Sequence, residues 1–233
     1  MRKKELEAYA AFVLIKTAQI CEPFSIDWLK DKPDLQIGKF GIEVTEAIDN
    51  KDGEQRHIDS EILECKTYED ANKYINSFKY PNKNRSEIKK LPYSDRFYTT
   101  RGGGYNDKKA NNLIINAIQD KARKFLKYSE HEKFSRRGLY ILDQELRPCM
   151  QLININAIQD AIKESIFDVV FIHQLNKIYV FEKSDETVRE HPFDIFNRND
   201  AICEAKRVCK SPDYEICCER AKTYKESLDN IDL

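Results

Sequence analysis

In a chain of 233 residues, 39 Lys and Arg stand against 40 Asp and Glu, so net charge draws it toward no particular partner and nucleic-acid affinity must come from a local patch. The length suffices for one full core without disulfide or metal staples. No run nears the roughly 20 apolar residues of a membrane span, the basic-to-amphipathic start MRKKELEAY does not read as a signal peptide, and seven cysteines suit free thiols in a reducing compartment, so the expected setting is cytoplasmic.

From Lys3 to about Ile20, Leu6, Tyr9, Ala10, Val13, Leu14 and Thr17 recur at three- and four-residue steps, the pattern of a helix with a wide apolar stripe. After Pro23, short β-rich runs flank the turn Gly38-Lys39-Phe40-Gly41 and predict a hairpin. Residues 55–77 read as weakly helical and 79–109 as a polar loop with three glycines at 102–104, so 50–110 is expected to be an insertion. Then come a helix in NNLIINAIQDKARKFLKY, the strand run GLYILD, a helix near 155–165 and the strands FDVVFIHQL and KIYVFE. From about 192 the pattern predicts a C-terminal extension of two helices, the second opening at Ser211-Pro212. The whole chain, 1–233, is expected to be one α/β domain, a central mixed sheet flanked by helices.

The hairpin carries the first chemical signal. Leu35, Ile37, Ile42 and Val44 must face the core, which leaves Asp34, Gln36, Glu43 and Thr45 together on the other face. The register expected from this pattern sets Gln36 opposite Glu43 and Asp34 opposite Thr45. Asp34 and Glu43 are then diagonal neighbours, about 7 to 8 Å apart, near enough for their carboxylates to share one hard cation. The same pattern is also what any amphipathic hairpin with a solvated outer face would show.

The segment KDKPDLQIGKFGIEVTEAI, with the helix before it and the elements after it, resembles the PD-(D/E)XK nuclease superfamily, the restriction-endonuclease-like fold. The resemblance covers roughly residues 3–182 without the insertion. Pro33-Asp34 matches the PD half, Glu43 the second acid, and the Val44 carbonyl the backbone ligand that follows it. It implies a core of that fold, a Mg²⁺ (or Mn²⁺) ion on Asp34, Glu43 and Val44, and hydrolysis of phosphodiester bonds in nucleic acid, DNA ahead of RNA. The motif's lysine position holds Thr45, whose neutral hydroxyl offers no ammonium to an attacking water.

In the helix after the insertion, Ile114, Ile118, Ala122 and Phe125 form a buried stripe, and Lys121 lies inside it. Such a Lys either lays its methylenes on the core and snorkels outward or reaches a buried anion. Members of this superfamily relocate active-site residues, so the resemblance implies Lys121 as the substitute for the missing lysine, with Lys124 as second choice. Lys124 and Tyr128 follow at i+3 and i+7, a phosphate-facing ridge. Glu7 on the first helix resembles the N-terminal acid some members place near a second metal.

Residues 79–109 hold nine Lys and Arg, including Arg101, Lys108 and Lys109, against three acids, about +6, interleaved with Tyr80, Tyr93, Phe97, Tyr98 and Tyr105. A flexible basic loop of this kind is a candidate DNA clamp, and Lys-rich insertions also occur simply as soluble loops. Cys203, Cys209, Cys217 and Cys218 fit no familiar ligand spacing and read as buried free thiols. The competing readings are a nuclease-like protein that binds nucleic acid or a protein partner without cutting, motivated by Thr45, and an interaction module that homodimerises through its terminal helices.

Overall fold

The computed structural model describes residues 3–20, 25–26, 32–48, 62, 65–77, 87–90, 97–100, 107–128, 131–143, 154–174, 176–185 and 187–209. In chain order they form α1 (Lys3–Lys16), β1 (Ser25–Ile26), β2 (Leu35–Ile37), β3 (Phe40–Glu46), α2 (Tyr68–Ser77), β4 (Glu87–Lys90), β5 (Phe97–Thr100), α3 (Asp107–Phe125), β6 (Arg136–Leu142), α4 (Ile155–Glu164), β7 (Val169–Gln174), β8 (Lys177–Glu182), β9 (Val188–Pro192) and α5 (Ile195–Val208). They fall into two compact units, Met1–Ala47 with Asp107–Leu233, and Ile48–Asn106.

The larger unit is α/β. Its sheet runs β1-β2-β3-β6-β7-β8-β9 among the described residues, with β3–β6 and β6–β7 parallel and the other pairs antiparallel. Parallel strands are covered on both faces, which is why β6 and β7 read as nearly unbroken apolar runs. One face packs on α1 and α5. There Ile42, Val44, Tyr140, Leu142 and Phe171 share a core cluster with Tyr9, Val13 and Leu14 of α1 and with Ala201 and Ala205 of α5. Residues one step along each strand, such as Glu43, Leu139 and Val170, point the other way. On that side α3 lies along β3 and β6 and beside α4, and Phe125 meets Phe167 edge-on.

The hairpin register differs from the sequence expectation. Leu35 pairs with Ile42, Gln36 with Gly41 and Ile37 with Phe40, leaving a two-residue turn at Gly38-Lys39. Gly38 takes the positive φ of +56° that the first turn position demands, which a side chain would resist. The slip from the expected pairing is two residues, so every side chain keeps its face. Continued by one residue, the observed register sets Asp34 level with Glu43, closer than the diagonal relation expected. Gly41 has its own reason: a Cβ there would come within 2.7 Å of Pro33 and 2.9 Å of Phe134.

Other expectations are also corrected. The α1 helix is not striped but buried on all sides from Leu6 to Ile15, the condition of a helix enclosed by sheet and helix together. The helix near the C-terminus is no appendage, because Ala201 and Ala205, small and four residues apart, bring α5 against α1 inside the core. Cys203 is exposed and Cys209 half-buried, so the buried-thiol reading fails at those two positions. Cys217, Cys218 and the helix expected from Ser211-Pro212 lie outside the described residues.

The smaller unit holds α2 and the antiparallel pair β4–β5. The expected flexible loop therefore contains a two-stranded sheet. Phe97, counted above among aromatics available to nucleic acid, is instead buried with Ile62 and Ala71 and meets Tyr68 edge-on at 6.1 Å. Among the described residues no helix is long and apolar enough to cross a membrane.

Candidate functional site

On the α3 side of the sheet, Asp34 and Glu43 are buried, at 2% and 0% exposure. An isolated ionised carboxylate at such depth would be very costly, so each must be paired. In the observed register Pro33 would stand across from Val44, but β2 has already ended there. The Asp34 side chain takes up the open position, its Oδ2 accepting from the Val44 N–H at 2.8 Å. The N–H and C=O of one strand residue open to the same edge, so the Val44 carbonyl faces toward Asp34 as well.

Glu43 is held from α3. Lys121 Nζ lies 2.7 Å from Glu43 Oε2 and 3.6 Å from Asp34 Oδ2, so one ammonium spans both acids. Lys124 Nζ comes within 3.4 Å of the same Oε2. The Tyr128 hydroxyl donates to Oε1 at 2.5 Å. Lys121 and Lys124, three residues apart, share one side of α3, and Tyr128 reaches the same acid from the turn just beyond the helix end. This corrects the phosphate-facing ridge: Tyr128 is buried and spends its hydroxyl on Glu43, and Lys124, at 38% side-chain exposure, is directed at the same acid.

The N-terminal turn of α1 completes the cluster. Lys3 Nζ lies 3.2 Å from Glu7 Oε1 and 3.7 Å from Asp34 Oδ1. Burial disfavours the Lys3 ammonium, but Asp34 and Glu7 outweigh it and hold its pKa above the ordinary value. Glu7 is only 2% exposed, and neither of its oxygens has a well-formed hydrogen bond among the described residues despite the ion pair with Lys3. Burial first, and the Asp34 charge second, push its carboxyl up to about 7.

That carboxylate, beside Asp34 and paired with Lys3 but without a well-formed hydrogen bond among the described residues, is a polar group a further cation would satisfy. The donor set fits a hard divalent ion: oxygens from Asp34, Glu43 and the Val44 carbonyl, with Glu7 adjacent. Among the described residues no group of three or more His, Cys, Asp or Glu side chains converges closely enough to hold a metal. An ion here would thus rest on two carboxylates, a carbonyl and waters, a coordination that suits Mg²⁺, which keeps several of its waters.

Thr45, two residues beyond Glu43 on the same face, is half-buried, and no hydrogen bond joins it to the acids among the described residues. Lys108 and Lys109 fall in the first turn of α3 with their side chains outside the description, and Arg101 lies outside the described residues altogether. Lys3 was not singled out from the sequence, although its i, i+4 spacing to Glu7 is a readable ion-pair signal. No protein-family model matches the chain, and comparison with curated proteins and with solved structures gives no match either.

Proposed function

We propose that this chain is a metal-dependent nuclease of the PD-(D/E)XK type, hydrolysing phosphodiester bonds of nucleic acid, DNA ahead of RNA, in the cytoplasm. The observation that carries the reading is Lys121: an ammonium from α3 meets the two hairpin acids, supplying the charge that Thr45 lacks. Asp34, Glu43 and the Val44 carbonyl would hold the ion. When bound, Mg²⁺ or Mn²⁺ supplies Lewis-acid polarisation of a phosphate oxygen and a water of lowered pKa.

The remaining work falls to the chain's own groups. Lys121, already within hydrogen-bond reach of Glu43, orients the attacking water and offsets negative charge as it builds on the phosphate oxygens. Lys124, more open to solvent and also directed at Glu43, is the second choice for the same role. Asp34, fixed by the Val44 amide, has little freedom to leave its position.

The test is incubation of plasmid DNA, linear DNA and RNA with wild type, Asp34→Ala and Glu43→Ala in Mg²⁺ or Mn²⁺. Wild type is expected to cut, with loss on the order of 10³-fold in either variant. Cutting that survives both substitutions rejects the site. The second reading, a nuclease-like fold that binds without cutting, rests on the neutral Thr45 at the motif's lysine position. Retention of DNA by a wild type inert with every metal would favour it.

A further inference from the structure

Glu43 receives its donors unequally. Both ammoniums, of Lys121 and Lys124, approach Oε2, whereas Oε1 is met by the Tyr128 hydroxyl. A hydroxyl donating to a carboxylate makes a charge-assisted bond, stronger than one between two neutral groups. The ring that carries it has little freedom. It is buried, sits edge-on to Phe125 at 5.7 Å, and lies beneath the Lys124 ammonium, 5.4 Å from its centroid. The backbone is tied too, the Tyr128 N–H reaching the Phe125 carbonyl as the chain leaves α3.

A glutamate has three side-chain torsions and would otherwise choose among rotamers at this depth. Fixing one oxygen from a rigid ring fixes the other as well, because the carboxylate is planar. We infer that Tyr128 is the positioning residue of this centre: by holding Glu43 Oε1 it sets the direction in which Oε2 is presented to a divalent cation and to Lys121. The inference rests on the metal-centre reading above. It assigns Tyr128 no contact with substrate, so its effect is on how well Glu43 binds an ion and on turnover, and not on how the nucleic acid is held. Partners that orient a ligating carboxylate are typically worth ten- to hundredfold in metal affinity or activity.

The test is Tyr128→Phe in the full chain, which keeps the ring packing and removes only the hydroxyl. Mn²⁺ binding is measured by calorimetry on wild type, Tyr128→Phe and Glu43→Ala, with circular dichroism as the fold check and plasmid cutting measured in parallel. Expected is a loss of Mn²⁺ affinity of about tenfold or more, with kcat falling ten- to hundredfold and KM for DNA unchanged within about twofold. Unaltered Mn²⁺ affinity in Tyr128→Phe beside a cutting wild type overturns the positioning role and leaves the nuclease reading standing. Weakened Mn²⁺ binding beside a wild type that never cuts does the reverse. A wild type that binds no Mn²⁺ overturns both.

Discussion

The two faces of the sheet each bury a polar cluster, and they neutralise themselves in opposite ways. On the α1 and α5 face, His173 stacks on Tyr9 at 5.7 Å, meets Phe193 edge-on at 5.0 Å and shares a 2.5 Å hydrogen bond between its Nδ1 and the Tyr140 hydroxyl. Burial, opposed at the two tyrosines and helped at the imidazole by the nearby Arg198 guanidinium, keeps the three titratable rings neutral: the imidazole falls to about 3, the Tyr9 hydroxyl rises to about 12 and that of Tyr140 is raised well above its ordinary value. On the α3 face, acids and ammoniums meet instead, with Lys121 between Asp34 and Glu43.

Neutral hydrogen-bonded aromatics are an economical way to fill a core. Charged groups gathered below the surface are not, since desolvation commonly offsets their attraction. The contrast teaches where chemistry is to be sought: the face where buried acids and ammoniums meet is the functional candidate, and the face built chiefly of packed rings around His173 is the weaker one.

The sharpest break in this comparison is Lys121→Met set beside Tyr140→Phe, one change on each face. Lys121→Met is expected to lower cutting by about 10²- to 10³-fold with the circular dichroism spectrum retained. Tyr140→Phe should leave turnover near wild type and lower stability by about 1 kcal/mol. A cutting rate lost in Tyr140→Phe and kept in Lys121→Met would reverse the assignment of the two faces.

Next in size is Gly41→Ala. Its Cβ would press on Pro33 and Phe134, whose ring and aromatic faces are already in place, so a loss of about 1 to 3 kcal/mol is expected in urea unfolding. Because Pro33 precedes Asp34, cutting should fall with it. Wild-type stability in this variant would show that the hairpin tolerates a shift at the acid pair.

The smallest effect is a pH dependence. His173 titrates near 3 when folded and near 6.5 when unfolded, so between those values the unfolded chain binds more protons and stability falls as pH drops. From pH 7.5 to 5 the imidazole accounts for about 2 kcal/mol of loss. Glu7, whose carboxyl is raised, works in the opposite direction over pH 7 to 4.5, so the informative quantity is the difference between wild type and His173→Phe. Parallel stability curves for the two proteins over pH 5–7.5 would rule out a neutral buried imidazole.

Much of the larger unit was legible because its elements carry strong patterns: the hairpin and α3 by periodicity, β6, β7 and β8 as apolar runs, while the first helix was found as a helix although its expected stripe is absent. The edge strands were not legible. Among the described residues β1 is the pair Ser25 and Ile26, too short to show a pattern, and β9 is the polar run VREHP, which has no apolar alternation to read. The acid pair survived an incorrect register because parity, and not the pairing itself, decides which face a side chain takes. Lys121 could be found as a charge in an apolar stripe. The inward turn of Tyr128 and the burial of Glu7 could not, since both depend on what packs over a helix and not on the helix's own pattern.

The parallel pairing of β3 with β6 joins residues 40–46 to 136–142 with the whole 48–106 unit strung between them. Closing so long a loop costs entropy before any contact rewards it, which places this pairing late in folding and the β7–β8 hairpin early. Once closed, the loop is insensitive to its own length: doubling it would cost only about 0.6 kcal/mol. The intervening unit can therefore be lengthened, shortened or exchanged over evolutionary time while the strands that carry Glu43 and its neighbours stay in register.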